Sequence, residues 1–167
     1  METHRLQLAA CTQEHIPVLM KWIQSETQCR EWGGPFFRYP FDTQSFAEDC
    51  SWQKLPSFVL QDVTGKLLAF GQFYRRLDRC HLGRLIVAPE ARGCGIGKSL
   101  IRLLAKRGCN ALATDQCSLF VLKNNRPAQA LYEKIGFQQS DYPEPFEGLQ
   151  ECHYMIAPAQ HLLEMEI

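Results

Sequence analysis

The chain of 167 residues has no surplus of either charge: 18 Lys and Arg stand against 18 Asp and Glu, a formal net charge of zero. Without a basic excess there is no electrostatic case for nucleic acid or an anionic membrane as partner, because such binding rests on clustered cations. The sequence also lacks any apolar run near the ~20 residues that a membrane-spanning helix needs. Short-range cysteine pairs are missing too. The eight cysteines stand singly, with no Cys-x-x-Cys or Cys-x-x-His spacing, and the five histidines are dispersed. Neither a disulfide framework nor a metal site is expected. Met1 to Arg5 has no apolar core of the signal-peptide kind, so the expectation is a cytoplasmic, soluble protein with reduced thiols, monomeric or homodimeric. Repeats and low-complexity tracts are absent, and the length suits one domain over 1–167 that buries about 70% of its unfolded surface.

What is present alternates between strand and helix signals. Leu6, Leu8 and Ala10 alternate with Arg5, Gln7 and Ala9 as a short strand. Thr12 then caps a helix with Ile16, Leu19, Met20 and Ile23 on one face. Cys29 to Phe41 reads as a loop punctuated by Gly33, Gly34, Pro35 and Pro40 and rich in aromatics. Asp42 or Thr43 begins a second helix that runs to about Trp52. Ser57–Gln61 and Lys66–Tyr74 form a hairpin turned through Asp62 to Gly65, and a third strand spans Arg79–Val87 after a turn at Arg76 to Asp78. Later come a helix from about Gly95 to Arg107 ended by Gly108, a buried strand Cys117–Leu122, and a helix from an Asn124 or Asn125 cap to Ile135 closed by Gly136. Phe137–Ser140 and Glu151–Ile156 make a last strand pair. Antiparallel strands followed by one βαβ crossover predict a mixed α/β sheet flanked by helices.

Between the third strand and its helix lies the most specific stretch, Val87-Ala88-Pro89-Glu90-Ala91-Arg92-Gly93-Cys94-Gly95-Ile96-Gly97-Lys98-Ser99. Glycines at every second position remove Cβ atoms where main-chain N–H groups must approach a ligand, and the helix behind them presents its positive dipole end. This is a candidate pyrophosphate site. A Walker A loop would need glycine where Arg92 stands, and a dinucleotide fingerprint starting at Gly93 would need glycine where Lys98 stands. Both are excluded. The basic residues Arg92, Lys98, Arg102, Lys106 and Arg107 are read as a cluster around this loop that would serve a polyanionic cofactor.

What remains, Arg92-x-x-Gly95-x-Gly97, resembles the acetyl-CoA loop Gln/Arg-x-x-Gly-x-Gly/Ala of the GNAT superfamily of N-acetyltransferases. A second segment, Ser118 to Phe137, is similar to that superfamily's next motif: strand, Asn cap, short helix, Tyr132, then Gly136-Phe137. The resemblance extends from about Arg5 to Met155 and is diffuse before Phe58. It implies a GNAT-like acyl-CoA N-acyltransferase fold, with a mostly antiparallel central sheet and a βαβ cofactor unit. It further implies acetyl-CoA as co-substrate, a primary amine of a small molecule or protein as acceptor, and direct attack of that amine on the thioester.

The same resemblance implies particular roles. Main-chain groups of Leu85, Ile86 and Val87 would pair with the pantetheine, and N–H groups of Gly93, Cys94, Gly95, Ile96, Gly97 and Lys98 would hold the pyrophosphate, with Arg92 adding charge. Tyr132 falls at the family's general-acid position; on an amphipathic helix it could equally pack in the core. Asn125 is a helix cap that in some relatives also contacts the cofactor. The Glu that some relatives use as base is replaced by the apolar Leu119-Phe120-Val121, which leaves His81 and Glu31 as candidates. Glu31, Trp32, Phe36 and Tyr39 are read as the acceptor side or as an aromatic plug of the sheet edge. A non-catalytic acyl-CoA sensor is the alternative function.

Overall fold

The computed structural model describes residues 5–165. Seven strands, β1 (Gln7–Ala10), β2 (Ser57–Gln61), β3 (Leu67–Arg76), β4 (Arg79–Val87), β5 (Gln116–Leu122), β6 (Gln138–Ser140) and β7 (Cys152–Pro158), form one sheet in the order β1-β2-β3-β4-β5-β7-β6. Every neighbouring pair is antiparallel except β4 and β5. Among the described residues six α-helices flank the sheet: α1 (Ile16–Lys21), α2 (Glu26–Gly33), α3 (Thr43–Cys50), α4 (Ile96–Leu112), α5 (Arg126–Ile135) and α6 (Ala159–Leu163). The expected mixed α/β fold is the one observed, and α4 makes the βαβ crossover.

Local chemistry sets most element ends. β3 and β4 join through Leu77 and Asp78 alone, both with positive φ (49° and 59°), the two-residue turn whose twist suits a hairpin. Asp42 caps α3 by accepting from Ser45 N at 2.7 Å. Asn125 caps α5, accepting from Ala128 N at 3.4 Å, and Gly136 ends it at φ 116°.

Two apolar layers cover the sheet. Leu100, Ile101, Leu104 and Ala105 of α4 pack with Leu82, Leu119 and Met155 on one face, while Trp32, Phe37 and Phe46 pack on Val59 and Phe70 on the other. Each fully buried Leu or Phe contributes roughly 1.5–3 kcal/mol.

Three expectations are corrected. Cys29 to Phe41 is not all loop: Ser25 accepts from Gln28 N at 3.1 Å and caps α2, which runs through Gly33 before Gly34 breaks it at φ 91°. Gly108 does not end α4. A Cβ there would lie 2.5 Å from Cys80 Sγ and 3.0 Å from Phe73 Cγ, so this glycine lets the helix approach the sheet and the helix continues to Leu112. The cysteines, isolated in sequence, are not all isolated in space: the thiols of Cys80, Cys109 and Cys117 lie within 4.8 Å of one another in the core.

Candidate active site

β4 and β5 are paired only at Cys80↔Cys117 and His81↔Ser118. Beyond those rungs the strands part. The cause is visible in β4, where Phe70 faces Ile86 and Gln72 faces Gly83, so that β4 spends one residue more than β3 over the same span. This bulge, with Arg84 at φ 48°, bends β4 and turns its main chain out of the ladder. The parted strands enclose a cleft of about 300 Å³, walled by Leu82 and Leu85 on one side, Leu119 and Val121 on the other, and reached by Asn125 and Tyr132 of α5. Leu85, Ile86 and Val87 keep their side chains in the two apolar layers, so what they can offer a ligand is main chain on the edge turned from β3.

The glycine loop enters α4 at the open end of β4. Gly93 and Gly95 both adopt φ 79°, and at both the space a Cβ would take is empty, so main-chain groups there are approachable. Gly97 differs: a Cβ would meet Leu131 Cδ2 at 3.3 Å, and its role is to let α4 lie close to α5. Gly95 is the N-cap of the 17-residue α4. The N–H groups of Ile96, Gly97 and Lys98 fall in the first turn, where a helix leaves them without partners of its own. Arg92 is exposed and donates from Nε to Val87 O at 3.2 Å, while Cys94 is exposed beside it. The larger basic cluster expected from the sequence does not form around the loop. Arg102 donates to Leu163 O, Arg107 stacks on Phe58 at 5.0 Å, and Lys106 lines a separate cleft with Asn110 and Thr114, all farther along α4; of the five, Arg92 and Lys98 are at the loop.

Tyr132 lines the cleft with its ring edge-on to Phe137 at 5.9 Å. Burial pushes its phenol up to about 12. It therefore stays protonated across the physiological range, able to donate a hydrogen bond or a proton.

His81 and Glu31 reach the same cleft from the other side. His81 is 2% exposed, with Nδ1 2.9 Å from Ser118 Oγ, and burial followed by the charge of Arg76 drives its pKa down to about 3. A neutral imidazole of that strength accepts a hydrogen bond but would not keep a proton taken from an ammonium. Glu31 is exposed at the mouth. Trp32 is a packing residue: its Nε1 donates to Arg84 O at 2.8 Å and its ring stacks on Phe46 at 5.5 Å, tying α2 to the bulge. Phe36 is 70% exposed and Tyr39 packs edge-on to Phe41, and neither lines the cleft. The acceptor wall expected over Glu31 to Phe41 thus reduces to the end of α2 and the Gly34-Pro35 turn.

Phe120 also lines this cleft, and it belongs to an aromatic cluster beside the cleft that the sequence pattern does not announce. Phe120 of β5, Tyr154 of β7 and Tyr142 and Phe146 of the loop between β6 and β7 make mutual ring contacts of 4.9–5.5 Å, and Arg76 lies against Phe120. Phe120 alternates with Leu119 and Val121, so strand periodicity alone marks it as facing the opposite side from the core.

Among the described residues no helix is long and apolar enough to cross a membrane. The profile of the acetyltransferase (GNAT) family matches residues 26–137. The peptidyl-lysine N-acetyltransferase YiaC of Escherichia coli is 29% identical over 129 residues, covering 75% of this chain and 79% of its own. A ribosomal protein bS18-alanine N-acetyltransferase of Haemophilus influenzae is 29% identical over 99 residues, 54% of this chain and 64% of that relative. Spermidine N-acetyltransferase of Vibrio cholerae, solved with CoA and spermine, superposes with a TM-score of 0.71 at 20% identity, covering 95% of this chain and 98% of its own.

Proposed function

The chain belongs to the acetyltransferase (GNAT) family, a family of acetyl-CoA-dependent N-acetyltransferases, and on that premise we propose that it moves the acetyl group directly from acetyl-CoA to a primary amine, with Tyr132 acting on the departing sulfur. The observation that carries this reading is the opening of β4 from β5 after the His81↔Ser118 rung, with Tyr132 on one wall and the N-terminus of α4 at the end. In this account the pyrophosphate rests on the N–H groups from Gly93 to Lys98, with Arg92 and Lys98 adding charge. The pantetheine runs along the main chain of Leu85, Ile86 and Val87, and Asn125 borders it.

The amine, neutral when it reacts, attacks the thioester carbonyl; the C–N bond forms as the carbonyl pair moves to oxygen, and the C–S bond breaks as that pair returns. The main chain at the Arg84 bulge lies beside this carbonyl and supplies donors for the oxyanion. The nitrogen loses its proton and the thiolate gains one. A phenol at about 12 facing a free thiol near 8.5 is about 5 kcal/mol short of complete proton transfer, so Tyr132 works first as a hydrogen-bond donor to the sulfur. Its proton passes over only as it is replaced from the nitrogen side. His81 stays neutral behind the acceptor.

Release of CoA thiol from acetyl-CoA, followed with a panel of primary amines, tests the reading. Amine-dependent release is expected. Acetyl-CoA binding without release by any amine would make the chain a binding module instead.

A further inference from the structure

Three exposed arginines in this chain meet carboxylates: Arg30 meets Glu151 at 2.8 Å, Arg38 meets Glu48 at 2.7 Å and Asp49 at 3.0 Å, and Arg75 meets Asp78 at 3.8 Å. Arg76, half-buried, finds none among the described residues. Its guanidinium is held over the rings of Tyr74, Phe120 and Tyr142 at 5.4, 5.3 and 6.0 Å. Its only hydrogen-bond acceptors are neutral, Tyr142 Oη at 2.9 Å and Tyr74 Oη at 3.2 Å. Nε is buried with no partner, and so is the hydroxyl of nearby Tyr154. A guanidinium is a fork suited to two carboxylate oxygens, and a desolvated cation left with neutral acceptors is incompletely compensated.

Arg76 also faces space. A second cleft of about 500 Å³ is lined by Arg76, Phe120, Tyr142 and Phe146, and it shares Gly33, Gly34, Pro35, Phe120 and Cys152 with the cleft that holds Tyr132. The two clefts meet at Phe120. One is shaped for the thioester; the other presents a positive group at the end of an aromatic chamber.

We propose that the second cleft is a carboxylate-binding subsite for the acceptor, so that the amine acetylated here also carries a carboxylate, bound by Arg76, and an apolar body set against Phe120 and Phe146. This rests on the acetyl-transfer reading for the direction in which the amine points. Arg76 is a specificity-determining residue in this account: its charge discriminates against a polycation such as spermidine and favours a ligand that completes its hydrogen bonding. Glu144, at the rim of the same cleft, does not approach Arg76 closely enough to form an ion pair and leaves that position to the ligand.

The test compares acids with their carboxamides, which differ in charge but little in shape. CoA release is measured with L-phenylalanine and with ω-amino acids of increasing length, each against its own amide, and with spermidine. The expected result is a kcat/KM at least 10-fold higher for the best acid than for its amide. Arg76→Gln should abolish that preference through KM while acetyl-CoA affinity stays the same, and Arg76→Lys should restore part of it. Independently of turnover, calorimetry on the CoA-saturated protein should show 3-phenylpropionate binding at least 10-fold more tightly than 3-phenylpropionamide. Equal affinity for acid and amide, preference for spermidine over every acid, or an undiminished acid preference in Arg76→Gln would overturn the proposal. Carboxylate binding without acetylation of any amine would instead count against the acetyl-transfer reading and leave the subsite standing.

Discussion

His81 and Ser118 form the last rung between β4 and β5, with Nδ1 of one 2.9 Å from Oγ of the other, and the strands part immediately beyond them. The imidazole is therefore fixed at the root of the cleft, buried and neutral. Its pKa of about 3 lies below the ordinary histidine value near 6.5, so the unfolded chain takes up a proton that the folded chain refuses. The contribution is complete above pH ~6.5 and is lost as pH falls toward 3. Between pH 7 and pH 5 the wild type should lose about 2 kcal/mol more stability than His81→Gln, measured by urea unfolding. Equal losses would show that His81 is not held neutral.

The two kinds of glycine in the loop should separate cleanly. Gly95→Val places a side chain in the open space where phosphate is proposed to rest, at a φ of 79° that costs roughly 1–2 kcal/mol for a residue with Cβ. Acetyl-CoA affinity should fall at least 10-fold in a folded variant. Gly97→Ala meets Leu131 at 3.3 Å and Val87 at 3.8 Å, both side-chain ends, and should keep affinity within a few-fold. Calorimetry of both variants checks this, and an unchanged affinity in Gly95→Val would move the phosphate site elsewhere.

Gly108 should behave as a contact between helix and sheet. Gly108→Ala would gain about 1 kcal/mol of helix propensity on an exposed helix, yet its methyl would lie 2.5 Å from Cys80 Sγ. Overpacking of this kind costs typically 1–3 kcal/mol, so net destabilisation in urea unfolding is expected. A stabilised variant would mean that α4 can withdraw from β3 and β4 freely.

Legibility followed the range of the interaction. The bounds of β4 (Arg79–Val87), an Asn cap at 124 or 125 that the structure places at Asn125, and the Gly136 stop are readable because each depends on a few adjacent residues. α2 is hidden in the sequence because Gly33, Gly34 and Pro35 carry a stronger loop signal than the single Ser25 cap that starts the helix. Gly108 carries the signal of a helix end because a glycine needed for close approach to Cys80 and Phe73 looks the same in sequence as one needed at a C-cap. The aromatic chamber was missed for a different reason. Arg76, Phe120, Tyr142 and Tyr154 come from separate strands and a loop, and only the sheet order β3-β4-β5-β7 brings them together.

The most direct measurement is single-turnover acetyl transfer by Tyr132→Phe, using an amine that the wild type acetylates. The substitution keeps the ring against Phe137 and removes the hydroxyl alone, so stability and acetyl-CoA affinity should be nearly unchanged. The rate of the chemical step should fall by ~10²-fold or more, as for the loss of a general acid. Wild-type rates in the Phe variant would make Tyr132 a packing residue and contradict the mechanism.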